Sequence, residues 1–257
     1  MAAQYYRNGP IHRRGNVDFS ILRKKFLFRS IQVGHWVQPA ERIKAANLIY
    51  DALSDLQLIL GVPSEVISLR GNLSLAYGTG GQLGVQAHYE PGRRLLALAK
   101  NAGGGALAHE WFHAFDHYMS DKMFILPKHA FASHAWLLDS QLIKHPLNVS
   151  LAKVYQTIFL QNDSGEVSEL FTRSATIDRR LKQVYFARPE EMSARCFEAC
   201  IQGQSLKNSF LVSGTMQSEP AKLGLYPDAT HRQQLAKQFV AYFSALGTEL
   251  KAAINVS

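Results

Sequence analysis

The segment Ala108-His109-Glu110-Trp111-Phe112-His113-Ala114-Phe115-Asp116-His117 constrains this chain more than any other part of it. On an α-helix, residues four apart project from one face, so His109 and His113 bring two imidazoles to one point with the Glu110 carboxylate beside them. Trp111, Phe112, Ala114 and Phe115 fill the remaining faces. The helix is therefore expected to be buried, and a polar face inside a core needs partners. With 10 His in 257 residues, chance places His-Glu-x-x-His in roughly two of a hundred such chains. The chemistry that needs this spacing is zinc binding. Zinc prefers about four ligands in a tetrahedron, and a hydrolytic site leaves one position for a water whose pKa falls to about 7. Glu110 stands where it can take that water's proton. The expectation is one Zn2+ ion, with His109 and His113 as metal ligands and Glu110 as the catalytic base.

A third protein ligand is then required. Its expected source is the run Pro189-Glu190-Glu191-Met192-Ser193-Ala194-Arg195-Cys196-Phe197-Glu198. Pro189 suits the first turn of a helix, where acidic side chains are also favoured by the helix dipole alone. Glu191 shares a face with the small Ala194 and with Glu198, which leaves room beside an ion. Glu190, Glu198 and Asp116 remain as alternatives. Asp116 and His117 follow His109 by seven and eight residues on the same face. Either can support a ligand imidazole from behind, or Asp116 can simply satisfy polarity in the core. Tyr185, shortly before Pro189, is a candidate donor to a developing oxyanion, against the plainer reading of a packing residue. His88 reads as an exposed strand residue, in a place where sites of this type align an extended substrate.

The periodicity predicts a helix over Pro39 to Leu60, with Ile43, Ala46, Ile49, Tyr50, Leu53, Leu56 and Leu60 on its apolar face and Gly61 and Pro63 ending it. Four short β-like runs follow: Val66 to Leu69, Leu73 to Tyr77, Leu83 to Tyr89 and Arg94 to Ala99. From Gly105 the pattern is helical: Ala106 to Met119, Leu147 to Leu160, Val167 to Gln183, Pro189 to Ile201 and Ala229 to Leu246. Helix, then sheet, then helices is the segregated α+β order, with a small, mostly antiparallel sheet packed on helices. Residues 203–228 read as an irregular loop. The expected organisation is a basic arm over 1–30 and a single domain over 31–257, its sheet part at about 62–100 and its helical part at 105–257.

Composition narrows the setting. Hydrophobic residues make up 47% and charged ones 19%, enough to bury a core and too apolar for wholesale disorder. No window approaches the ~18 apolar residues of a membrane span, and the polar start lacks a secretory signal. Cys196 and Cys200, the only cysteines, are four apart in a helical pattern rather than at disulfide geometry. A reducing cytoplasm is the expected location. The net charge of +8 is uneven: Arg7, Arg13, Arg14, Arg23, Lys24, Lys25 and Arg29 face Asp18 alone within residues 1–30. Such a segment is either a solvated arm or a contact for nucleic acid or another acidic partner. A non-catalytic zinc protein that contacts nucleic acid through this arm is the alternative to a hydrolase.

The stretches Phe28-Arg29-Ser30-Ile31-Gln32-Val33-Gly34-His35-Trp36-Val37, Ser68-Leu69-Arg70-Gly71-Asn72-Leu73, Ala87-His88-Tyr89-Glu90-Pro91-Gly92, Leu107 to Ala114 and Glu191-Met192-Ser193-Ala194-Arg195 resemble the CLCA_X family and the related metallopeptidase-like domain found in large polyvalent proteins of phages and conjugative elements. The resemblance covers about residues 25 to 200. It implies a zincin-type metallopeptidase of a mobile genetic element that hydrolyses a protein or peptide substrate. His109 and His113 would be ligands, Glu110 the base and Glu191 the third ligand. Where the polyvalent domains read Ala-Phe-Gly-Ala-Arg-Gly, this chain has Ala76-Tyr77-Gly78-Thr79-Gly80-Gly81 and lacks the arginine.

Overall fold

The computed structural model describes residues 5–80, 87–100, 105–161 and 165–256, with side chains as far as 253. The chain gathers into two compact units. The first is drawn from residues up to Ala114, with Gln204–Ser213 and the end of the chain from Gly247; the second comprises Phe115–Gly203 and Gly214–Leu246. The class is α+β, with ten α-helices and one four-stranded sheet among the described residues.

The first unit contains α1 (Phe19–Phe26), β1 (Ile31–Val33), α2 (Pro39–Leu60), α3 (Ser64–Ile67), β2 (Ser74–Tyr77), β3 (Ala87–Glu90), β4 (Leu95–Leu98) and the start of α4 (Leu107–Met123). α2 begins and ends where its residues direct. Pro39 occupies the first turn, Gln38 and Glu41 form a capping box, and Gly61 takes the left-handed conformation (φ 68°) that closes the helix. Its apolar face is buried as expected, except that Ile43 is half-buried. The middle turns go further: Asp51 through Leu56 are all buried, two aspartates included.

Those aspartates decide the place of the N-terminal segment. Asp55 is fully buried and receives Arg7 through Nε and Nη2, Asn208 Nδ2 and His12 Nε2, each at 2.7 Å. Arg13 reaches Asp51 at 3.0 Å. Residues 5–30, the described part of the segment read as a basic arm, thus lie within the first unit. α1 adds Leu22 and Phe26 to its core.

The sheet differs from the expected one. Its order is β1-β2-β4-β3; β1 pairs with β2 and β2 with β4 in parallel, and only β3 and β4 are antiparallel. A mostly antiparallel sheet is therefore incorrect. Two departures cause this: β4 rather than β3 lies beside β2, and β1, whose three residues are too few to show a period, adds a further parallel pair. Once β1 exists, α2 becomes a crossover between neighbouring strands, and such connections leave them parallel. Val66 to Leu69 is not a strand either. Ser64–Ile67 forms one helical turn, and Leu69, Arg70 and Gly71 follow at φ 56°, 55° and 77°, a left-handed run no strand accommodates. β2 and β4 are buried at every residue, which explains their unbroken apolar runs. The first part of the expected strand Leu83 to Tyr89 lies outside the described residues; its end is β3.

The second unit contains the rest of α4, then α5 (Ala132–Leu137), α6 (Pro146–Phe159), α7 (Glu169–Leu181), α8 (Pro189–Gln202), α9 (Glu219–Lys222) and most of α10 (Ala229–Val256). An aromatic cluster joins three of them. Phe115 of α4 lies 5.2 Å from Phe243 of α10, and Phe197 of α8 lies 5.3 Å from Phe239. The expected helices are present within about four residues at each end, except that α10 runs on from the expected Leu246 to Val256; α1 and α5, eight and six residues long, are additions. Residues 203–228 are mostly irregular, with α9 and one 3-10 turn at Thr215–Gln217.

Burial alone would raise the Asp55 carboxyl, but its bonds from Arg7, Asn208 and His12 outweigh it and hold the carboxyl below the usual range. A depressed carboxyl stabilises the fold above its unfolded value near 4 and ceases to do so as pH falls through the folded value. Asp55→Ala, which strands the Arg7 guanidinium, is expected to cost about 3–5 kcal/mol in urea unfolding at neutral pH. Asp55→Asn should lose part of the acid sensitivity the parent shows below about pH 4.

Candidate metal centre

α4 is anchored along its whole length. At its start, Gly105 adopts φ 117°, and a side chain there would collide with Ser213. The Gly105 and Ala108 amides donate to the carbonyls of Phe210 and Leu211 at 2.8 and 3.0 Å. The indole of Trp111, fully buried, donates to the Ile67 carbonyl at 2.9 Å. Past Ala114 the same helix continues into the second unit, where Asp116 is fully buried. Its Oδ1 accepts from the Ser133 amide and the Tyr155 hydroxyl, both at 2.8 Å, and its Oδ2 from the Ser133 hydroxyl at 2.5 Å. The Ser120 hydroxyl donates to the His129 carbonyl at 2.7 Å.

On this fixed helix the Nε2 atoms of His109 and His113 are 3.1 Å apart, with ring planes at 74°. Two imidazole nitrogens bound at ~2.0–2.1 Å to one tetrahedral ion stand about 3.3–3.4 Å apart. The pair thus has almost the separation a shared ion imposes. Glu191 completes a group: ligand atoms of His109, His113 and Glu191 all lie within 4.8 Å of one another, and the group could hold a metal ion. His113 is buried, while His109 and Glu191 are half-buried. Glu110 faces the sheet, where its Oε2 accepts from the Tyr89 amide of β3 at 2.8 Å.

The start of α8 is placed by charges that sequence reasoning did not single out. Asp178, near the end of α7, accepts from the amides of Tyr185, Phe186 and Ala187 at 3.1, 3.0 and 2.8 Å. Burial would raise its carboxyl, but these three donors outweigh it and hold it below the usual value. Arg195, one turn after Glu191 and also buried, donates from Nε to the Leu225 carbonyl and from Nη2 to the Phe186 carbonyl. The turn before Pro189 is thereby tied both to α7 and to α8 itself.

The other residues singled out from sequence have partners of their own. Glu190 Oε2 is 3.4 Å from His134 Nδ1. Glu198 accepts from the Thr215 hydroxyl at 2.6 Å and the Tyr226 hydroxyl at 3.1 Å. Neither belongs to the ligand group. Asp116 joins α4 to α5 and α6 through Ser133 and Tyr155. The His117 ring lies 5.5 Å from Phe131. Tyr185 is 43% exposed, gives its amide to Asp178 and packs its ring edgewise on Phe186. Both cysteines are buried and reduced, and burial pushes the Cys196 thiol up to about 12. In the basic segment Arg7 and Arg13 are engaged with aspartates, whereas Arg14, Lys24 and Lys25 are exposed. No described helix is long and apolar enough to cross a membrane.

Residues 177–250 match the family model of the large polyvalent protein-associated domain 1. The matched stretch runs from within α7 into α10; it includes Asp178, Glu191 and Arg195 but not the helix with His109, Glu110 and His113. No curated protein and no solved structure matches the chain. The chain is thus similar, over its C-terminal helices, to a domain associated with large polyvalent proteins.

Two outcomes follow from this geometry. His109→Ala or His113→Ala should lower bound metal at least ~10-fold, and Glu191→Ala should weaken metal binding where Glu190→Ala does not, read by elemental analysis of dialysed protein. Separately, burial raises the Asp116 carboxyl to about 6, against its bonds from Ser133 and Tyr155. A raised carboxyl contributes stability at low pH that is lost as pH rises from about 4 through 6. Unfolding free energies of the parent and of Asp116→Asn should therefore diverge across that window, with the parent losing stability relative to the variant as pH rises.

Proposed function

We propose that this chain is a zinc-dependent peptidase, with a zincin-like site that cleaves peptide bonds in a protein or peptide substrate. The observation that carries this reading is the placing of Glu110: adjacent in sequence to His109, it is held through Oε2 by the edge strand β3 while His109, His113 and Glu191 gather into one ligand group. Two imidazole nitrogens and one carboxylate oxygen are a donor set that suits zinc and leaves one tetrahedral position open.

Bound there, zinc would supply Lewis acidity, polarising the scissile carbonyl and making a water acidic enough to lose its proton near neutral pH. The chain's own residues do the rest. His109, His113 and Glu191 would hold the ion. The Tyr89 N–H fixes the Glu110 carboxylate, which accepts the proton of the attacking water and then delivers it to the amide nitrogen as the C–N bond breaks. β3 pairs with β4 on one side and forms an edge of the sheet. An extended peptide adds most readily to such an edge, which supports a polypeptide substrate over a compact small molecule.

Glu110→Gln preserves the size of the side chain and an oxygen for the Tyr89 amide, yet cannot accept the proton. It should keep its metal and lose about 10²–10⁴-fold in turnover. The assay compares new protein N-termini produced in a proteome by the parent and by Glu110→Gln. Equal cleavage by both, with metal present in both, would overturn the peptidase reading.

A further inference from the structure

At the end of the sheet where β1, β2 and β4 begin, Arg29, Ser30, Gln32, Ser74, Arg93 and Arg94 line a cleft of about 310 Å³. Three arginines line it, and no carboxylate is among the described lining residues. Their fixation is of an uncommon kind. Arg29 donates from Nε to the Ser74 hydroxyl at 3.0 Å and from Nη2 to the Arg93 carbonyl at 2.6 Å. Arg94 donates from Nη1 to the Asn72 side-chain oxygen at 3.2 Å. All these acceptors are neutral, so the two side chains are held in place without their charge being compensated. Arg93 alone has an acid, Glu90 at 3.2 Å, in a pair that is 59% and 41% exposed and therefore worth little.

Like charges gathered without a counterion repel, and the repulsion is relieved by an anion that touches several at once. A guanidinium has five N–H donors, more than Arg29 or Arg94 spends on these bonds. Its planar fork matches the oxygens of a tetrahedral oxyanion. The Ser30 hydroxyl donates to that of Ser74 at 3.0 Å, which leaves the Ser74 proton as a neutral donor among the lining groups. The positive field also continues beyond the cleft: Arg23 of α1 donates to the Arg29 carbonyl at 3.0 Å, with exposed Lys24 and Lys25 on the same helix. A bland reading, in which each arginine merely ties down a loop, accounts for the bonds but not for three of them sharing one carboxylate-free cleft.

We propose that this cleft is a phosphate-binding site, which takes the phosphate group of a nucleic-acid backbone or of a small phosphate compound. It shares no residue with the His109, His113 and Glu191 group. The two regions meet at Tyr89, whose amide donates to Glu110 and whose phenol is raised to about 12 by burial against the opposing charges of Arg94 and Arg29.

The test measures polarisation of a labelled single-stranded oligonucleotide and, separately, the thermal shift produced by inorganic phosphate. The parent is compared with Arg93→Gln, whose exposed side chain is not needed for folding, with Arg29→Gln, and with the control Arg179→Gln/Arg180→Gln on α7. Each cleft variant should weaken oligonucleotide binding about tenfold and lower the salt slope by about one, with the control near the parent. Oligonucleotide binding that phosphate displaces supports the site and names the nucleic-acid backbone as its ligand. A phosphate-induced shift lost in the cleft variants, with no oligonucleotide bound, supports the site and names a small phosphate compound. Absence of both effects, or losses in the cleft variants no greater than in the control, overturns the proposal.

Discussion

A helix buried around most of its circumference can carry ionisable side chains only where each is met by a partner, and α4 is built under that constraint. Trp111, Phe112, Ala114 and Phe115 take three sides into the core, which leaves His109, Glu110, His113 and Asp116 to be satisfied from outside the helix. Glu110 meets a strand amide, Asp116 meets a hydroxyl, a phenol and a helix-entry amide, and the two imidazoles meet each other and Glu191. The partner of Glu110 comes from β3 in the first unit, and those of Asp116 come from α5 and α6 in the second.

Buried carboxylates perform this organising throughout, although the chain as a whole is basic. Asp55 captures Arg7 and His12, Asp51 captures Arg13, and Asp178 gathers three consecutive amides at the turn into α8. An isolated buried charge is costly, a carboxylate surrounded by two to four donors is less so, and each such acid specifies one arrangement of the segments that supply those donors. The surplus positive charge is left where no acid is available to meet it, as at Arg29 and Arg94.

The C-terminal helices that match the large polyvalent protein-associated domain contribute one residue to the ligand group, Glu191, and the scaffold that aims it. Asp178 and Arg195 hold the turn before α8 from both of its ends. The interval between Glu191 and its neighbours is therefore set by the same stretch of chain that carries the match. Glu190 and Glu198, close in sequence and equal in chemistry, are turned to His134 and to Thr215 with Tyr226 instead.

What the sequence alone determined is whatever repeats within a few residues. The spacing of His109 and His113, the apolar faces of α2, α6, α8 and α10, Pro39 and Pro189 at helix starts and Gly61 at a helix end are local patterns, because an α-helix bonds to itself every four residues. Glu191 was also legible, from the small residue one turn along and from the resemblance. The tertiary structure decided the rest. β1 is too short to carry a period, and β4 lies between β2 and β3, so the order of the runs along the chain did not give the directions of the sheet. The Tyr89 amide and the Glu110 carboxylate are 21 positions apart, Arg7 and Asp55 are 48 apart, and Asn208 and Asp55 are 153 apart. No local pattern announces such pairs. A backbone amide is common to almost every residue, and which one a buried acid receives depends on how distant segments come together in the core.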